Sequence, residues 1–240
     1  MRKNLLIAVV VIVGVIIYVV LTGISSSVRL EFDFRQGAQG WEAGFAEYSP
    51  EMEGMMLEAE IRALPSELGI NGTGYYLQGM NHSDDLFMFL KRRLGTDDGV
   101  AAGQEYRVMF TIAFASNAPS GAVGIGGPPG ESVYLKAGAC AVEPEVYLDS
   151  DTGYYLMNVD KGSGNSGNGT AASVIGDIAN GLSAEKNPRY ISLIQQHEHQ
   201  YTVTASQDGE LWLLVGTDSG FEGLTGIYYQ SIGVTLQPVK

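Results

Sequence analysis

Val28-Arg29-Leu30-Glu31-Phe32-Asp33-Phe34 alternates apolar and polar residues without a break. A period of two is the signature of a strand with one buried face, because successive side chains point to opposite sides of a sheet. Leu57-Glu58-Ala59-Glu60-Ile61-Arg62-Ala63 repeats the pattern. In Tyr106 to Ala115 the alternate residues Tyr106, Val108, Phe110, Ile112 and Phe114 are apolar, and Met109 and Ala113 make the other side apolar too. That predicts a central strand covered on both faces. Further strands are expected at Tyr75–Met80, Leu86–Leu90, Val133–Ala137, Tyr154–Val159 and Gly226–Leu236. Glycine fills 32 of 240 positions, against an average usage of about 7%, and sits mainly between the apolar stretches where tight turns need a positive φ.

The turns carry their own signals. Asp208-Gly209 lies between Tyr201–Thr204 and Leu211–Val215, which predicts a hairpin. Gly162 to Gly169 is too polar to pack and is expected to be a long exposed loop. Short helices are expected over Ala171–Leu182 and Arg189–Gln196. Ten or so strands without regular strand–helix alternation predict an all-β, jelly-roll-like β-sandwich.

A second feature fixes where such a sandwich would work. Leu5 to Ile24 is a run of twenty uncharged residues directly after Met1-Arg2-Lys3. As a helix it spans roughly 30 Å, the hydrocarbon thickness of a bilayer. The basic flank predicts an N-terminus inside the cell and a chain that crosses outward. A cleaved signal peptide is the competing reading, since Ser25-Ser26-Ser27 offers small residues for cleavage. Residues 1–24 are therefore expected to be a cytoplasmic start and transmembrane anchor, 25–27 a tether, and 28–240 one extracytoplasmic sandwich.

The formal net charge is −13, which repels phosphates and excludes nucleic acid as a partner. Neutral, hydroxyl-rich ligands, calcium or a surface protein stay compatible. The single cysteine, Cys140, sits in the apolar stretch Ala137 to Val142 and is expected to be an inert buried thiol.

Phe32-Asp33-Phe34 with Gly37, Gly40 and Trp41 resembles the opening of carbohydrate-binding jelly rolls of the galactose-binding type. Gly226-Ile227-Tyr228-Tyr229-Gln230-Ser231-Ile232-Gly233-Val234-Thr235-Leu236 resembles their closing strand. The resemblance implies two terminal strands lying close together and a glycan as ligand. Gln230 stands where such modules often carry an acidic residue, so no metal site carries over. The middle of the chain, at Asn81–Phe89 and Asp218–Gly223, is similar to exported microbial proteins of unknown function.

The densest polar clusters are Asn81 to Asp85, Asn158 to Lys161, and Asp218 to Glu222. Asn81, Asp84, Asp85, Asp160, Asp218 and Glu222 are expected to converge at one rim of the sandwich and hold a ligand. Trp41 and Trp212 are candidate stacking platforms for a sugar ring, with a place in the core as the competing reading of both. Two of the carboxylates Asp84, Asp85, Asp160, Asp218 and Glu222, about 5–9 Å apart, would instead permit glycoside hydrolysis. A purely structural envelope role is the third reading.

Other motifs are weaker. His197-Glu198-His199 on a strand would project two imidazoles to one side, with His82 completing a metal set. Asp149-Ser150-Asp151-Thr152-Gly153 begins like a calcium loop but has Gly and Tyr where a ligand and Gly belong. Gly124 to Ser132 carries Pro128-Pro129 before a predicted strand, which contradicts a phosphate loop. Asn71, Asn81 and Asn168 head glycosylation triplets.

Overall fold

A computed structural model describes residues 27–83, 85–184 and 188–240. The expected anchor, Leu5–Ile24, lies outside them; among the described residues no helix is long and apolar enough to cross a membrane. In chain order the strands are β1 (Val28–Asp33), β2 (Glu42–Ala46), β3 (Glu58–Ala63), β4 (Thr73–Met80), β5 (Leu86–Leu94), β6 (Glu105–Ser116) and β7 (Val133–Cys140). They continue as β8 (Val146–Leu148), β9 (Tyr155–Met157), β10 (Ser173–Asp177), β11 (Ile191–Glu198), β12 (Val203–Thr204), β13 (Leu211–Ser219) and β14 (Leu224–Pro238).

Two antiparallel sheets face each other. The front sheet runs β11-β6-β14-β4-β3, with β1 beside β14 and β12 beside β6. The back sheet runs β10-β7-β13-β5-β2. β14 organises the front sheet. Its first half pairs with β4, its second half pairs with β1 from Asp33↔Ser231 to Val28↔Leu236, and β6 lies along its other side. The register slips between Tyr229 and Ser231, a bulge at Gln230 that marks the change of partner. The two ends of the sandwich thus lie side by side, as the resemblance implies.

Phe32, Phe34, Trp41, Phe110, Phe114 and Tyr229 form the heart of the apolar layer between the sheets. Trp41 meets Phe32 and Phe34 edge-on, with ring centroids 5.5 and 6.4 Å apart, so it is a core residue. Burying each such aromatic stabilises the fold by roughly 1.5–3 kcal/mol.

Three local expectations need correction. Ala171–Leu182 and Arg189–Gln196 hold strands β10 and β11, not helices. β11 pairs residue for residue with β6, so Leu193 turns inward to the core while Ile194 points outward. Tertiary pairing overrides a local pattern compatible with either state. Second, Asp208-Gly209 makes its turn, with Gly209 at φ 74 and its amide donating to Ser206 O, but the strands it joins belong to different sheets. β12 pairs with β6 and β13 with β5 and β7, so the turn is an arch across the sandwich. Third, β6 is central but its outer face is covered only at the Ala115 end: Arg107 and Thr111 are exposed and Met109 and Ala113 half-buried.

The outer faces of the sheets differ. Over the back sheet lies the excursion between β7 and β10, residues 141–172, with the hairpin β8–β9 inside it. It closes a second small core of Ala46, Phe87, Phe89, Met157, Ala172 and Leu214. The cover fits closely: a Cβ at Gly138 would stand 2.3 Å from Ala171 O. Over the front sheet the described residues close only one end, where Leu64 and Leu68 pack on Tyr76 and Tyr228.

Candidate functional site

Alternation places Lys136 of β7 and Asp218 of β13 on the covered face of the back sheet. Lys136 pairs across with Gly216 and Asp218 with Tyr134, so the two side chains are diagonal neighbours. Both are fully buried. Lys161 descends on them from the covering segment. Asp218 Oδ2 accepts from Lys136 Nζ at 2.8 Å and from Lys161 Nζ at 2.8 Å. Lys136 spends its other two donors on Lys161 O, at 3.0 Å, and Gly164 O, at 3.3 Å. Lys161 Nζ also stands 3.8 Å from Asp85 Oδ1 and 3.9 Å from Glu47 Oε1, below the Phe87 ring.

Burial dominates the electrostatics here. It pushes the Asp218 carboxyl up to about 6, against the pull of Lys161 and Lys136. It raises Asp85 as well, and it lowers the Lys136 ammonium despite Asp218 beside it. Burial also works against charge on Lys161, but the carboxylates of Asp218, Asp85 and Glu47 outweigh it and hold that ammonium above its ordinary value. Asp218 Oδ1 and Asp85 Oδ1 are buried without a donor between them.

The acidic residues picked out from the sequence therefore meet in part, in a different role. Asp85 and Asp218 share this cluster, Asp218 fully buried and Asp85 29% exposed. Asp160 lies alongside, but its carboxylate accepts from Gly162 N at 3.0 Å and Thr170 N at 2.9 Å, tying the two ends of the 162–169 loop together. Those bonds hold it below the usual carboxylate range. Asn81 is buried and donates to Ser219 O, at 2.8 Å, and Phe221 O, at 3.0 Å, fixing the end of β13. Glu222 is half-buried at that end, its amide donating to Ile125 O. Trp212 does not join them. It sits six residues along β13 from Asp218, about 20 Å away, half-buried with Lys91 Nζ 5.4 Å from its ring centroid. Asp84 lies outside the described residues.

The histidines also part from expectation. His197 and His199 do project to one side, yet what they meet is Ser173 of β10: its Oγ lies 2.7 Å from His197 Nε2 and 2.9 Å from His199 Nδ1. His199 Nε2 stands 3.1 Å from Thr170 O. Burial lowers both imidazoles, which favours their neutral forms. His82 is elsewhere, near Gly54 O. Among the described residues no three His, Cys, Asp or Glu gather as a metal site. The Asp149 carboxylate accepts from Thr152 N and Oγ1, closing a turn. Cys140 is held near Val142 O, and burial pushes its thiol up to about 12, far from a nucleophile.

What composition and clustering missed is the uncovered face of the front sheet. Two hollows of about 610 and 600 Å³ lie end to end there and share Glu31. The first is edged by Arg29, Glu31, Thr111, Gln196 and Glu198; the second by Asp33, Arg35, Asn71, Ser192 and Gln230. Glu31, Thr111, Gln196, Glu198 and Asn71 make no side-chain hydrogen bond or ion pair with another described residue. Asp33 is engaged: its carboxylate accepts from Arg35 Nε at 2.9 Å, which holds it below the usual range. Ile194, 69% exposed, adds an apolar wall. The signal was present in the sequence, in the polar half of the alternation at Arg29, Glu31 and Asp33.

No family model and no curated protein matches the chain. Among solved structures it is similar to a carbohydrate-binding module of Caldicellulosiruptor saccharolyticus in complex with mannohexaose: 8% identity, 85% of this chain and 95% of that chain covered, TM-score 0.39. It is similar also to the K1 cleaved adhesin domain of Lys-gingipain from Porphyromonas gingivalis, with 9% identity, 88% and 99% coverage and TM-score 0.38. A third is TmCBM61 in complex with β-1,4-galactotriose, at 9% identity, 86% and 94% coverage and TM-score 0.36.

Proposed function

We propose that the front face binds an extended, hydroxyl-rich ligand, a glycan strand, and leaves it chemically unchanged. The observation that carries this reading is the row of Glu31, Thr111, Gln196, Glu198 and Asn71, polar side chains that make no hydrogen bond or ion pair with another described residue, along two hollows that share Glu31. Carboxylates and amides in such a row accept and donate to sugar hydroxyls, and Ile194 and Met109 offer apolar surface to the C–H side of a ring. The resemblance of the two terminal strands to galactose-binding-type modules agrees with it. Asp33, kept ionised by Arg35, is the reverse of the raised carboxyl that a glycosidase uses as its acid. The raised carboxyls, Asp85 and Asp218, belong to the cluster on the other sheet, bound up with Lys136 and Lys161. On this reading residues 5–24 anchor the sandwich at a membrane and present the groove outside the cell.

The full-length protein in detergent, screened on a glycan array with and without calcium, tests the reading. Binding to at least one glycan that falls with Gln196→Ala and Glu198→Ala is expected. Silence on every glycan, or binding indifferent to both substitutions, would overturn it. Release of the protein from membranes by alkaline carbonate would remove the anchor.

A further inference from the structure

We propose that Lys136 and Asp218 join in an amide bond that the protein closes by itself, with Asp85 carrying the protons and Lys161 polarising the carboxyl. The argument starts from two oxygens. Asp218 Oδ1 and Asp85 Oδ1 are both buried acceptors without a donor, and the two carboxyls are hydrogen-bonding neighbours. Two ionised carboxylates cannot satisfy one another; a proton between them can. Burial raises both carboxyls, which favours a proton shared between them and so the carboxylic-acid form of Asp218. A carboxylic acid, unlike a carboxylate, is an electrophile at Cγ.

The nucleophile is an immediate neighbour. Lys136 Nζ stands 2.8 Å from Asp218 Oδ2 on an adjacent strand, with neither side chain exposed. Burial favours its neutral amine. Lys161 is unlike it: the carboxylates of Asp218, Asp85 and Glu47 around it keep it an ammonium. Its Nζ, 2.8 Å from the same Oδ2, is placed to stabilise negative charge that develops there. Once Nζ lies in line with Cγ, such an intramolecular attack gains an effective molarity that reaches about 10⁵–10⁸ M.

The step balances without an outside reagent. The Lys136 ammonium gives a proton to the carboxyl pair, and the amine attacks Asp218 Cγ to form the Nζ–Cγ bond. Asp85, now protonated, gives its proton to the Oδ1 hydroxyl, the Cγ–Oδ1 bond breaks with loss of one water, and Asp85 takes up the second proton from the nitrogen and ends protonated. Oδ2 becomes the amide oxygen and keeps its bond to Lys161. The remaining N–H keeps a backbone acceptor, Lys161 O, now 3.0 Å from Nζ. The Lys136 ammonium and the Asp85 carboxylate are replaced by a neutral amide and a neutral carboxyl, which removes two charges from a largely buried site. The closed link would tie β7 to β13.

Tandem mass spectrometry of a protease digest of the denatured full-length protein reads this directly. The expected product is one branched peptide carrying Lys136 and Asp218, lighter than its two parts by one water and stable to reducing agent. Asp85→Asn, which leaves both partners present, should yield the two separate peptides from a protein that still folds by circular dichroism. Separate peptides from the wild-type chain, a branch at Lys161 in place of Lys136, or an undiminished branch in Asp85→Asn would overturn the proposal.

Discussion

The two outer faces of this sandwich are built from the same alternation and come to opposite ends. On the back sheet the outward residues are Phe87, Phe89 and Leu214 with Lys136 and Asp218, and a segment of chain folds down to cover them. On the front sheet they are Glu31, Thr111, Gln196 and Glu198, and no described segment covers them beyond the tyrosine end. Polarity alone does not separate structure from binding. A polar group enclosed with its counter-charge acts as scaffold, and one left unpartnered on an open face is available to a ligand.

The sharpest way to break this contrast is to remove charge from each face in turn. Asp218→Ala leaves two buried cations without their shared carboxylate and should cost about 3–5 kcal/mol, whereas Glu31→Ala should stay within about 0.5 kcal/mol. Equal shifts in urea midpoint would erase the distinction. Gly138→Val probes the cover itself. Its side chain collides with the Ala171 backbone, so we expect a loss of about 1–3 kcal/mol and new protease cuts within 141–172. Cuts confined to other loops would show the cover to be looser than described.

Smaller effects sharpen the front face. Gln196→Ala should weaken glycan binding by about 0.5–1.5 kcal/mol, the worth of one hydrogen bond, with an unchanged melting temperature. A melting temperature that falls in step would mark Gln196 as structural. The smallest effect concerns the edge where β10 meets β11. His197 and His199 take up protons less readily when folded than their ordinary 6.5. Their contribution is therefore complete above pH 6.5 and is lost as pH falls below it, because the unfolded chain then binds protons first. Replacing both with glutamine should flatten the stability profile between about pH 6.5 and 5. An unchanged slope would assign the pH dependence to other groups.

Much of the sandwich was legible because strict alternation has few other meanings. β1, β3, β4 and β14 stand where their patterns place them. β11 was not legible, since Ile191, Leu193 and Ile194 satisfy a helical spacing as well as a strand, and pairing with β6 makes the choice. The Asp208-Gly209 turn shows a different limit: turn chemistry sets the local backbone and does not say which sheet the next strand joins. For the site, convergence of Asp85 and Asp218 was readable, but their burial was not. It depends on Lys136 and Lys161, two cations 25 positions apart that only the folded cover brings to the same carboxylate.

β14 contacts β1, β4 and β6 together, and it follows all three in chain order among the described strands. Until residues 224–238 are available, β1 has no neighbour to pair with and β4 and β6 have a vacant position between them. A chain delivered from its N-terminus would therefore carry a half-built front sheet with open edges for most of its synthesis. Such edges invite foreign pairing, so holding agents that shield them during delivery should raise the yield of this protein more than agents acting afterwards.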